Sequence, residues 1–127
     1  MTGVVLDASA VLALLLDESG ADEVLSVMAD AAVSTVNLAE ITSKLVERGD
    51  DPDAACLKVA RLGFDIIAFD QLQARDVAAL RKTTRAQGLS LGDRACLALG
   101  KRLGRPVLTS DRAWAELGLD MDVKVIR

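Results

Sequence analysis

Residues 4–12 read VVLDASAVL, and this segment decides how the chain is organised. Its first three residues are typical of a short buried strand, and the aspartate after them precedes a predicted helix over Ser9 to Leu16. The same strand-then-helix order recurs along the chain. Further strands are predicted near Ala32 to Ser34 and over Phe64 to Phe69, Pro106 to Leu108 and Val123 to Ile126. This alternation predicts an α/β sandwich with a mostly parallel central sheet.

Helices are predicted between these strands from the spacing of apolar residues and from helix-capping residues. The pair Asp51-Pro52 is a favourable helix start, because aspartate caps a helix well and proline is tolerated at the first helical position. The predicted helices cover Ala21 to Ala29, Thr35 to Arg48, Asp51 to near Gly63, Asp70 to Gln87, Leu91 to Leu103 and Asp111 to Leu117.

The size and hydropathy of the chain suit a small globular protein. Its 127 residues predict a single domain over 1–127, and 51% of them are apolar. The longest apolar run, Ala10 to Leu16, is far shorter than the roughly 20 residues that a membrane span requires. The first three residues carry no positive charge, so a signal peptide is not expected. We therefore expect a cytoplasmic location.

The absence of histidine excludes several classes of enzyme. Ser-His and Cys-His nucleophilic pairs and histidine-bearing zinc sites are all ruled out. The two cysteines, Cys56 and Cys96, lack CxxC spacing, so both are expected to be small buried apolar residues. Any chemistry must therefore depend on carboxylates, hydroxyls, lysine, arginine or a bound ion.

The net charge is −4, but the basic residues are concentrated in the C-terminal half. This distribution allows phosphate contacts despite the acidic total, although a solvated helix face is the structural alternative. The candidate contacts with a nucleic-acid backbone are Arg81, Lys82, Arg85 and Arg94.

Four acidic residues stand at comparable places in the predicted fold. Asp7 and Asp111 directly follow strands, whereas Glu40 and Asp93 lie in the first turns of helices. Each has a structural alternative: Asp7 and Asp111 as helix caps, Glu40 as a surface partner of Lys44, and Asp93 as a favourable charge in a first helical turn.

Taken together, these four positions converge on one edge of a parallel sheet. Two carboxylates about 5 Å apart repel by roughly 3 kcal/mol at an effective dielectric near 20, so the cluster requires a cation. Oxygen ligands favour one or two Mg²⁺ or Mn²⁺ ions, which would activate water to hydrolyse a phosphodiester. Neighbouring residues that could orient water or phosphate, or simply cap helices, are Ser9, Asn37, Ser90, Thr109 and Ser110.

The segments VLDASA (5–10), NLAE (37–40), LGDRA (91–95) and LTSD (108–111) resemble the four motifs of PIN-domain nucleases. Their order and the chain length resemble the VapC toxins of type II toxin–antitoxin systems. This resemblance implies a three-layer α/β/α fold, Mg²⁺- or Mn²⁺-dependent endoribonuclease activity, homodimers and inhibition by a VapB-type antitoxin. It also implies that Asp7, Glu40, Asp93 and Asp111 form the metal site.

Other functions remain open at this point. A catalytically idle PIN-like binding module is one alternative. A doubly wound phospho-acceptor or phosphatase is another, but it calls for Asp-x-Asp after the first strand, where this chain has Ser9. Only three aromatic residues are present, so a base-stacking platform is not expected and Trp114 is predicted to pack in the core.

Overall fold

The computed structural model describes residues 3–127, and its centre is a sheet of five parallel strands. The strands are β1 (Val4–Leu6), β2 (Ala31–Ser34), β3 (Asp65–Ile67), β4 (Val107–Thr109) and β5 (Val123–Val125). Their order across the sheet is β3-β2-β1-β4-β5, and every neighbouring pair is parallel. The predicted α/β class is therefore confirmed, with a sheet that is parallel throughout.

Six α-helices connect the strands, close to the predicted positions. They are α1 (Ala8–Leu15), α2 (Ala21–Val27), α3 (Thr35–Glu47), α4 (Pro52–Ala60), α5 (Gln71–Thr84) and α6 (Leu91–Leu103). The predicted helices run to Ala29 and Gln87, but the α-helices end at Val27 and Thr84. A 3₁₀ turn follows each of them, as is common at helix ends. The predicted helix from Asp111 is also a 3₁₀ segment, Arg112–Glu116.

Helices cover both faces of the sheet because side chains alternate along each strand. In β1, Leu6 joins the core beneath α1 to α4, whereas Val5 joins the core beneath α6. In β4, Leu108 joins the core beneath α1 to α4 and Val107 joins the core beneath α6. The result is the expected three-layer arrangement.

The strand order places a crevice between β1 and β4. The chain proceeds from β1 outward to β3 and then returns to β4 on the other side of β1. Such a reversal separates the connections beyond the carboxyl ends of the two strands, where open α/β sheets bind ligands. Asp7 follows β1 and Asp111 follows soon after β4, so both lie at this crevice.

Two expectations about single side chains have different outcomes. Trp114 is only 2% exposed and packs in the core, as predicted. Cys96 is buried, but Cys56 is exposed, so the prediction for Cys56 was wrong. The core-facing residues of α4 are Ala55 and Val59, one turn apart, which places position 56 off that face.

Across residues 3–127, none of the helices combines the length and the apolar character that crossing a membrane demands.

We expect Gly20→Ala to destabilise the fold more than Gly49→Ala. Both glycines have positive φ angles, +95° and +111°, so alanine costs about 1–2 kcal/mol at either position. At residue 20 an added Cβ would also lie 2.7 Å from the carbonyl oxygen of Ile126, whereas residue 49 has nothing within 4 Å. The extra overlap should lower the free energy of unfolding by a further ~1–3 kcal/mol in urea titrations. Equal losses for the two variants would contradict the packing of Ile126 on the start of α2.

Candidate active site

Four carboxylates from separate parts of the chain line one cleft of about 300 Å³: Asp7, Glu40, Asp93 and Asp111. Asp7 lies between β1 and α1, Glu40 in the second turn of α3, Asp93 in the first turn of α6, and Asp111 two residues after β4. The structure therefore brings together the four acids that the sequence singled out.

Asp7 is the most constrained of the four. It is only 5% exposed and caps α1, because its Oδ1 accepts a hydrogen bond of 2.8 Å from the backbone N–H of Ala10. The hydroxyl of Ser9 donates to the carboxylate at 2.8 Å, and the Thr109 hydroxyl donates to Oδ2. These donors fix the carboxylate across the ends of β1 and β4.

Burial raises the pKa of Asp7 from 3.8 to about 6, because desolvation disfavours the charged form. The hydrogen bonds from Thr109, Ala10 and Ser9 oppose this shift, and the negative charge of Asp93 adds to it. A positive charge in the cleft would favour the ionised form of Asp7.

Glu40 is held through Asn37, which precedes it by nearly one helical turn. Asn37 Nδ2 donates to Glu40 Oε1 at 2.9 Å and to the backbone carbonyl of Gly92 at 3.0 Å. The alternative partner of Glu40, Lys44, instead lies 3.7 Å from Glu47 in an exposed pair. Glu40 is thus linked to the start of α6 through Asn37 of its own helix, rather than paired with Lys44.

Asp93 and Asp111 both cap the N-terminus of a helix while lining the cleft. Asp93 forms a capping box with Ser90: Asp93 Oδ2 accepts from the Ser90 N–H at 2.9 Å, and Ser90 Oγ accepts from the Asp93 N–H at 3.1 Å. Asp111 Oδ1 accepts from the N–H of Ala113 at 3.0 Å. The capping alternatives weighed from the sequence are therefore realised at the cleft itself.

The predicted orienting residues divide into two groups. Ser9 and Asn37 line the cleft. Thr109 and Ser90 do not line it, but they form hydrogen bonds with Asp7 and Asp93. Ser110 contributes its backbone N–H, which donates to Ser9 Oγ at 3.0 Å.

The predicted basic residues do not line the cleft. Arg81, Lys82 and Arg85 are exposed on the last turn of α5 and just beyond it. Arg94 is half-buried, and its Nη1 donates to the carbonyl of Val77 on α5 at 3.1 Å. Among the described residues, Lys44 is the basic side chain that lines the cleft, although its spacing in the sequence indicated only a pair with Glu40.

Within residues 3–127, no group of three or more Cys, Asp or Glu side chains is arranged to hold a metal ion in this conformation. The four acids share a cleft, but each directs at least one oxygen to a hydrogen bond within the protein. Some of these side chains would have to move before three of them could share one ion.

We expect Asp7→Asn to remove a pH-dependent loss of stability. The raised pKa means that folded Asp7 stays protonated below about pH 6, whereas the unfolded chain ionises it above about pH 4. Wild-type stability therefore falls, relative to the variant, as pH rises from about 4 through 6, by up to about 3 kcal/mol. Urea unfolding in EDTA at several pH values measures this difference.

Asp51→Asn is the matched control, since Asp51 caps α4 through the N–H groups of Asp53 and Ala54 but is exposed. This control should keep the wild-type pH dependence because Asp7 is still present. A wild-type curve parallel to that of Asp7→Asn would contradict the raised pKa.

Comparison with known proteins agrees with this fold. The family model described as PIN domain matches residues 4–119. Among solved structures, a toxin–antitoxin complex from Klebsiella pneumoniae superposes with a TM-score of 0.77 at 19% identity, covering 98% of each chain. A DNA-bound VapBC from Salmonella typhimurium gives 0.76 at 14% identity and covers 100% of both chains.

VapBC-5 from Mycobacterium tuberculosis, a member of the VapBC family of toxin–antitoxin systems, gives a TM-score of 0.61 at 25% identity, covering 100% of this chain and 99% of that one. A search of curated protein sequences gave no match. Since the family model covers almost the entire chain, including strands β1 to β4 and the four acids of the cleft, the chain belongs to the PIN domain family.

Proposed function

We propose that this chain is a cytoplasmic, metal-dependent endoribonuclease and the toxin of a type II toxin–antitoxin system. The observation that carries the proposal is the cleft itself: Asp7, Glu40, Asp93 and Asp111 come from four segments of the chain and line one crevice. A cluster of this kind is electrostatically unfavourable without a cation, and nucleases use such cations to act on phosphodiesters.

The oxygen atoms that line the cleft suit one or two Mg²⁺ or Mn²⁺ ions as ligands. The cleft offers carboxylate and amide oxygens, which hard divalent cations prefer, and no cysteine lines it. Asn37 is 1% exposed, and its Nδ2 donates to Glu40 Oε1 at 2.9 Å, which orients one of these carboxylates.

A bound divalent cation supplies Lewis-acid activation of the phosphodiester and compensation of charge. The protein's own groups supply orientation. Ser9 and Thr109 hold Asp7 in one direction, so that its carboxylate enters the cleft in a fixed geometry. Lys44, the basic residue lining the cleft, offers its ammonium group to a phosphate oxygen of the substrate.

The products follow from the residues that the chain lacks. Without histidine, a route through a cyclic phosphate has no evident acid–base pair, so direct attack by water is favoured. Hydrolysis in this way leaves a 5′-phosphate and a 3′-hydroxyl, which end-mapping of the RNA products would reveal.

The structural neighbours support the choice of partner. They are a toxin–antitoxin complex and a VapBC bound to DNA, so we propose a VapB-type antitoxin as inhibitor of this chain. We propose a homodimer as its assembly from the resemblance to the VapC toxins alone. The remaining alternative is a PIN-like module that binds RNA without cleaving it, which the same cleavage assay distinguishes.

We expect purified protein to cleave total RNA with Mn²⁺ or Mg²⁺ and to stop in EDTA. Asp93→Asn should lower the cleavage rate by at least about 100-fold, because removing a metal ligand costs more than the roughly 10–100-fold typical of supporting residues. Asp70→Asn is the matched control, since Asp70 also caps a helix but does not line the cleft. Wild-type activity in Asp93→Asn would refute the assignment of the site.

We expect Lys44→Ala to raise the KM for RNA about 3- to 10-fold, since one phosphate contact and its salt dependence are lost. The exposed Lys44–Glu47 pair adds little to stability, so the fold should be unaffected. Lys58→Ala, which removes another exposed paired lysine outside the cleft, serves as the control. An unchanged KM and salt dependence in Lys44→Ala would exclude Lys44 from substrate binding.

A further inference from the structure

Gly92 lies where the start of α6 meets the carboxylate of Glu40 on α3. A Cβ atom at residue 92 would overlap the carboxylate carbon and both carboxylate oxygens of Glu40. The backbone at Gly92 is helical and φ is not positive, so its conformation does not require glycine. Glycine within a helix is less favourable than alanine, so its presence at residue 92 needs another reason. That reason is the space which the missing side chain leaves for the Glu40 carboxylate.

Asn37 completes this arrangement from the side of α3. Its Nδ2 donates to Glu40 Oε1 at 2.9 Å and to the Gly92 carbonyl at 3.0 Å. Both partners can only accept, which fixes the orientation of the amide group. One buried side chain therefore joins the Glu40 carboxylate to the start of the helix that carries Asp93.

We propose that Gly92 and Asn37 are positioning residues that hold Glu40 in the cleft, Gly92 by leaving space and Asn37 by hydrogen bonding. The inference rests on the proposed function, because it concerns how Glu40 is presented to a divalent cation. Glu40 is exposed, so a side chain at residue 92 would push it toward solvent rather than disrupt the core. Loss of positioning should therefore appear in cation affinity and not in stability.

Gly92→Ala and Gly100→Ala test this separation within one helix. In the second variant, the new Cβ would overlap the side chain of the buried Val107 and lie 3.2 Å from the Arg105 carbonyl. We expect Gly92→Ala to bind Mn²⁺ at least about tenfold more weakly in calorimetric titrations, with an equal or higher Tm in EDTA. Gly100→Ala should show the reverse: a lower Tm and wild-type Mn²⁺ affinity.

Asn37→Leu removes the donors while keeping the number of side-chain heavy atoms, and it should also weaken Mn²⁺ binding; Tm measured in EDTA reports separately the cost of losing the hydrogen bond to Gly92. In a Glu40→Ala background, adding Gly92→Ala should cause no further loss of Mn²⁺ affinity, because the displaced group is already absent. If the wild type binds Mn²⁺ and either single variant binds it equally well, the positioning role of that residue is overturned while the proposed function stands. If the wild type binds no Mn²⁺, the metal-dependent function fails, and this inference with it.

Discussion

Asp7 is buried at the point where β1 and β4 end side by side, and the arrangement of the cleft depends on its position there. Its N–H donates to the carbonyl of Leu108 at 3.2 Å, and its carboxylate accepts from the hydroxyl of Thr109. These contacts join segments about one hundred residues apart in sequence. Desolvation disfavours the charged form of Asp7, and the surrounding hydrogen-bond donors favour it. Holding the ionised carboxylate in this position therefore costs free energy. A counter-charge in the cleft would offset that cost.

Helix capping and the candidate chemistry use the same side chains. A carboxylate at a helix N-terminus accepts backbone N–H groups that would otherwise have no partner, and it interacts favourably with the helix dipole. In a parallel sheet, the helices that follow the strands begin at the carboxyl edge, so their caps gather there. Asp7 and Asp111 both follow this rule. The structural and functional interpretations of these acids are thus compatible.

The sequence predicted the helices, the strands and the meeting of the four acids in one cleft, because these depend on apolar spacing and strand direction. It did not predict which basic side chain would enter the cleft. Arg94 stands next to Asp93 in sequence, yet its guanidinium packs against the carbonyl of Val77. Lys44 lines the cleft because it lies one turn beyond Glu40 on the same face of α3. The fit of Glu40 against Gly92 depends on how two helices pack, which no local pattern encodes.

The charge of the cleft explains why the proposed reaction depends on a cation for binding as well as for chemistry. Four acids and one base, Lys44, line a cleft that must receive the phosphate of a polyanion, in a protein of net charge −4. The exposed bases at residues 81, 82 and 85 lie outside this cleft and cannot neutralise it. In the proposed reaction, repulsion between carboxylate and phosphate opposes substrate entry; one divalent ion would reduce the negative charge of the cleft and two would reverse it. An acidic protein can act on RNA in this way without a basic active site.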